Sequence, residues 1–158
     1  MTRQVLSGVP CSTVSSCACS RLRRASRAIT HLYDDALATS GLRATQFGVL
    51  RTLEHHSTMT IGALAAAMLL DRTALSRNLD PLAARGLVEI SPGVDQRTRQ
   101  LALTAAGRNA LAAAEPRWAE AQRDVARRLG KPRIDQLYAL LEDIERLHPS
   151  RTPARSSR

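Results

Sequence analysis

A chain of 158 residues has room for one domain with its own core, and 23 basic against 14 acidic side chains give a formal charge of +9, which favours polyanionic partners. No stretch reaches the length of a membrane-spanning helix, and the amino terminus lacks the continuous apolar segment of a signal peptide, so the sequence predicts a cytoplasmic protein without a membrane partner. No Gly-x-Ser-x-Gly elbow, His-Glu-x-x-His helix, phosphate-cradling glycine loop or paired-carboxylate constellation marks an enzyme or calls for a cofactor.

Residues 1–19 read as a flexible amino-terminal segment that holds every cysteine of the chain, Cys11, Cys17 and Cys19. In a cytoplasmic protein such a cluster is not expected to be a structural disulfide. Three readings stay open. In the first, Cys17 or Cys19 begins the next helix beside Arg21, Arg23 and Arg24, where the helix dipole and positive charge lower a thiol pKa and leave an oxidant-sensitive thiolate. Cysteines one residue apart do not easily close a strain-free disulfide, so oxidation would link subunits. In the second, Cys11, Cys17 and Cys19 form a soft site for arsenite or a heavy-metal ion, with His31, His55 and His56 contributing only if the fold brings them close. In the third, they are small apolar residues of a frayed terminus.

From residue 21 to about 40, Leu22, Ala25, Ile29, Leu32, Tyr33 and Ala36 recur at helical spacing with arginines opposite, predicting a long amphipathic helix. Residues 42–104 read as a winged helix. Thr60-Ile-Gly-Ala-Leu-Ala-Ala-Ala-Met-Leu-Leu forms an apolar-periodic helix, and a tight link through Asp71 leads into a second. There Leu75, Leu79 and Leu82 share the inner face, leaving Arg72, Thr73, Ser76, Arg77 and Asp80 outward. Short polar side chains beside arginines suit a DNA groove, although an ordinary helical hairpin with solvated arginines fits those two helices equally well. The segment from Gly86 to Leu103 favours DNA. Gly86 sits at a helix C-cap, Leu87-Val-Glu-Ile turns to strand periodicity, Ser91-Pro-Gly reads as a turn, and Arg99-Gln-Leu-Ala-Leu alternates again. The tip of this wing carries Asp95, Arg97 and Arg99. An arginine there can enter the minor groove while Asp95 orients Arg97; a solvated hairpin salt bridge is the plainer alternative.

Thr104 is placed to cap a helix running to about Leu129, with Pro116 expected to kink or loosen it. After Gly130-Lys-Pro132, a last helix carries Ile134, Leu137, Leu140, Leu141, Ile144 and Leu147 as a stripe that a free monomer would expose. Residues 148–158, with Arg151, Arg155 and Arg158, read as a disordered basic tail.

The ordered set Leu42-Arg-Ala-Thr-Gln-Phe-Gly-Val-Leu, Thr60-Ile-Gly-Ala-Leu-Ala, Asp71-Arg-Thr-Ala-Leu-Ser-Arg-Asn-Leu, Arg85-Gly-Leu-Val, Asp95-Gln-Arg-Thr-Arg and Leu103-Thr-Ala-Ala-Gly-Arg resembles the multiple-antibiotic-resistance regulator (MarR) family of winged-helix transcription factors. The resemblance covers most of residues 20–147. It implies a mainly α fold with a small β-wing, a winged helix-turn-helix flanked by amino- and carboxy-terminal dimerisation helices (about 21–40 and 104–147). It also implies a homodimer on an inverted repeat of double-stranded DNA, usually as a repressor, and a small effector. The Cys19-Ser-Arg-Leu-Arg-Arg-Ala-Ser-Arg-Ala-Ile-Thr segment is similar to the hydroperoxide-sensing branch, which implies a sensor sulfur at Cys17 or Cys19 and a hydrogen-bonding role for Tyr33. Arg23 and Ala44 replace two further tyrosines of that branch. Family members also take phenolic ligands between dimer helices and winged helix, where Tyr33, Trp118, Phe47 and His31 are candidates. A cysteine peroxidase and a protein-binding winged helix are the readings from other classes; Arg97 and Arg99 at the wing tip argue against the latter.

Overall fold

The computed structural model describes residues 17–93 and 98–148; Cys11, Asp95, Arg97 and the tail arginines lie outside them. Among the described residues six α-helices surround a three-stranded antiparallel sheet: α1 (Ala18–Leu37), α2 (Ala44–His56), β1 (Thr58–Thr60), α3 (Ile61–Ala67), α4 (Arg72–Ala84), β2 (Val88–Pro92), β3 (Arg99–Leu103), α5 (Ala105–Leu129) and α6 (Lys131–Arg146). A single 3-10 turn, Ala38–Ser40, joins α1 to α2. No helix among these residues is long and apolar enough to cross a membrane.

The helix boundaries arise from side chains that satisfy the first free backbone amides. Thr60 accepts from Ala63 N at 3.0 Å to start α3, Asp71 accepts from Ala74 N at 2.7 Å to start α4, and Thr104 accepts from Gly107 N at 2.9 Å to start α5. Asp34 of α1 performs the same service for another element, accepting from Ala44 N at 2.7 Å and so seating α1 on the first turn of α2. Gly86, at φ +66, takes the left-handed conformation that ends α4 and turns the chain into β2.

One core unites the winged helix with the base of α5. Leu50, Leu53, Leu64, Leu75, Leu82 and Leu101 are fully buried within it. Each burial of this kind contributes about 1.5–3 kcal/mol, so this side of α4 is anchored while its other side stays free. The first turn of α5 packs on Leu87, the residue that leads into β2, through a close approach that only glycine allows: a Cβ on Gly107 would lie 2.1 Å from the Leu87 carbonyl oxygen.

Two local expectations needed revision. Ser91 and Pro92 continue β2 rather than turning it, pairing with Gln100 and Arg99. The sheet order β1-β3-β2 makes β2 an edge, where the missing proline N–H costs no ladder bond. Thr58-Met59-Thr60 forms β1 against β3, so Thr60 ends a strand and caps α3 instead of lying within the helix. Helix α5 extends past Pro116 to Leu129.

Candidate nucleic-acid interface

Helix α4 presents two chemically distinct sides. Leu75, Leu79 and Leu82 are buried, whereas Arg72, Thr73, Ser76, Arg77 and Asp80 are all exposed. The geometry matches the expected division along the helix. Asn78, for which the sequence carries no signal, fixes the helix about its axis: its Oδ1 accepts from Thr45 Oγ1 of α2 at 2.8 Å, and its Nδ2 donates to Ala74 O at 2.8 Å. No local pattern links residues 33 positions apart, so only the fold discloses this tie. Arg85, at the end of α4, donates to Gly41 O at 2.7 Å and fastens the helix to the turn after α1. The connection into α4 puts Leu69 at φ +51, a left-handed conformation costing a β-carbon residue roughly 1–2 kcal/mol, beside Met68 and Leu70, which pack against the core.

Beside α4, β2 and β3 project as a hairpin with Arg99 exposed at the start of β3. Gly93 N donates to Thr98 O at 2.9 Å, holding the two strands together at the outer end. Exposed basic groups on α4 and at the hairpin therefore belong to one rigid unit built on the common core. Such a unit can address phosphates and base edges together.

Of the amino-terminal thiols, Cys17 and Cys19 fall among the described residues. Cys17 is the residue immediately preceding α1, and both Cys17 and Cys19 are exposed. The Ser20 backbone amide, and after it that of Cys19, hold the Cys17 thiol below its ordinary range by stabilising the thiolate at the helix start. A lowered pKa keeps the thiolate populated at lower pH. The rate of iodoacetamide modification at Cys17 is therefore expected to reach half its plateau at a lower pH in the folded chain than in urea, read by peptide mass spectrometry. Coincident midpoints would remove the helix-terminus effect.

Tyr33 does not join these thiols within one chain: fourteen helical residues beyond Cys19, it lies about 21 Å along the axis. It is half-buried, and burial first and the nearby Tyr138 of α6 second push its phenol up. The proposed aromatic ligand set is also dispersed. Phe47 is buried and stacks on Trp118 with centroids 5.6 Å apart, while His31 is exposed on α1. An open groove of about 370 Å³ lies instead between α1 and α5, lined by Asp35, Thr39, Arg117, Glu120 and Asp124 among others. No group of three or more His, Cys, Asp or Glu side chains suited to a metal ion occurs among the described residues.

The α6 stripe is uncovered, with Leu140 61% and Leu147 78% exposed and Leu137 and Ile144 also open to solvent. These are large apolar side chains on one helix, the kind of surface that a protein partner covers.

A model described as MarR family matches residues 40–98, which span α2 through β2. The M. tuberculosis transcriptional regulator MosR, solved in complex with DNA, is 38% identical over 84% of this chain and 98% of its own, with a TM-score of 0.73. A second structure of MosR gives 35% identity, 86% and 100% coverage, and a TM-score of 0.73. A mutant MarR from E. coli complexed with operator DNA shares the fold at 23% identity, 78% and 90% coverage, and a TM-score of 0.72. No curated protein sequence matches the chain. With motifs, fold and a regulator matched along almost its whole length in agreement, the chain belongs to the MarR family of winged-helix regulators.

Proposed function

We propose that a homodimer of this chain binds an inverted repeat in double-stranded DNA and represses transcription until an effector releases it. The observation carrying this reading is the exposed row Arg72, Thr73, Ser76 and Arg77 on a helix held from behind by Leu75, Leu79 and Leu82. In each half-site α4 lies in a major groove, while Arg99 of the hairpin, together with Arg97 and its partner Asp95 from the sequence, addresses the adjacent minor groove. The two recognition helices meet successive grooves about one helical turn apart, as a two-fold pair requires. The MosR and MarR structures with DNA support the assignment. The uncovered α6 stripe supports the dimer.

The effector reading rests on Cys17. Its thiolate attacks a peroxide oxygen; an S–O bond forms, the O–O bond breaks, and water or an alcohol leaves. A thiol of the second subunit then displaces water from the sulfenic acid to give a disulfide. This step couples to DNA because a small change in the separation of two winged helices forfeits simultaneous contact with both half-sites. Substitution of both Cys17 and Cys19 by Ser should leave duplex binding intact and abolish its loss on treatment with organic hydroperoxide in a gel-shift titration. A fully responsive double variant would assign release elsewhere, and arsenite and a phenol tested alongside would distinguish the soft-metal site at Cys11, Cys17 and Cys19 from a ligand pocket.

A further inference from the structure

Helix α5 is fastened to the winged helix at two places. At its start, Thr104 Oγ1 donates to Gly86 O at 2.7 Å and Gly107 sits against Leu87. Halfway along, Arg51 of α2 points Nη1 at both carboxylate oxygens of Glu115, each at 2.8 Å. The same guanidinium lies over the Trp118 ring, its carbon 4.4 Å from the centroid, while the ring stacks on Phe47 of α2. Between Glu115 and Trp118 stands Pro116, which has no N–H to donate to the Ala112 carbonyl and makes this a pliant point of a 25-residue helix. Beyond it, α5 continues toward α1 and α6.

We propose that Arg51 is a positioning residue that clamps α5 across Pro116, fixing the orientation of the winged helix relative to the distal helices. A guanidinium suits this task because it is planar: one face stacks on an indole while its edge donates to a carboxylate, so one group addresses both sides of the proline. Losing the clamp leaves the Phe47 and Trp118 stack to restrain α5 beyond Pro116 without the guanidinium, so α5 bends more widely at residue 116. In a DNA-binding dimer that bend alters the spacing of the two recognition helices, a consequence that rests on the function proposed above.

The test uses the full chain with Cys11, Cys17 and Cys19 replaced by Ser and spin labels introduced by Ala84→Cys on α4 and Ala126→Cys on α5, diluted into excess unlabelled protein. The clamp predicts a narrow distance distribution in the parent and a broadened one in Arg51→Leu. Pro116→Ala restores a continuous hydrogen-bond ladder, so Arg51→Leu should have little effect in that background. A folded Arg51→Leu protein with the parent distribution, or equal broadening with and without Pro116, overturns the proposal. Should Arg51→Leu not fold, Glu115→Gln is read in the same way. On duplexes with varied half-site spacing, Arg51→Leu should lose about tenfold in discrimination between spacings while keeping its affinity for a single half-site. Absence of any duplex binding by the parent would refute the DNA reading, with the distances still deciding the clamp.

Discussion

Gly107→Ala is expected to lower the melting temperature by about 4–8 °C, corresponding to a loss of about 2 kcal/mol for a chain of this size. The added Cβ would stand 2.1 Å from the Leu87 carbonyl oxygen and 2.7 Å from Leu103 Cδ1. The nearer of these atoms is backbone and cannot rotate away. Relief requires α5 to lift from Leu87, stretching the 3.2 Å bond from Thr104 N to Leu87 O. Overpacking of this kind costs about 1–3 kcal/mol, and the upper end applies here because the obstacle is main chain. Alanine's better helix propensity returns at most about 1 kcal/mol, so the clash wins. Thermal unfolding at fixed protein concentration checks the value, since self-association of the kind proposed would make the midpoint concentration-dependent. An unchanged midpoint would show that α5 does not rest on Leu87 in solution.

Arg77→Ala is expected to leave folding intact and to weaken operator binding by at least about tenfold, because a bidentate arginine–base contact contributes about 1–3 kcal/mol and a symmetric dimer loses two. Arg77 is exposed in the middle of α4, on the opposite side from Leu75, Leu79 and Leu82. Its removal opens no cavity. A gel-shift titration should show the loss on specific duplex and a much smaller one on unrelated DNA. Equal weakening on both would make Arg77 a phosphate contact, and wild-type affinity would take it out of the interface.

Much of this arrangement is legible in the sequence because its causes are local. The periodicity of Leu75, Leu79 and Leu82, the capping residue Thr104, and the glycines at 86 and 130 each act within a few positions and leave their mark on the sequence. Strand β1 is different. Three residues offer no periodicity, and Thr58, Met59 and Thr60 become a strand only because Ala102, Leu101 and Gln100 lie alongside. Pro92 likewise reads as a turn former until the sheet order puts β2 at an edge. At the interface, the outward row of α4 is legible from helical geometry, whereas the Thr45 and Asn78 bond that orients it is not. The Arg51 and Glu115 pair, 64 positions apart, is equally hidden. The candidate ligand aromatics depart from expectation for the same reason, since Phe47 and Trp118 stack with each other instead of lining the groove between α1 and α5.

The central claim is that two copies of α4 read two related half-sites. Selection of bound duplexes from a random-sequence pool by the full-length protein tests it most directly. The account predicts enrichment of an inverted repeat with half-site centres about one helical turn apart. Enrichment of no sequence, or of a lone half-site without a symmetric mate, would contradict it.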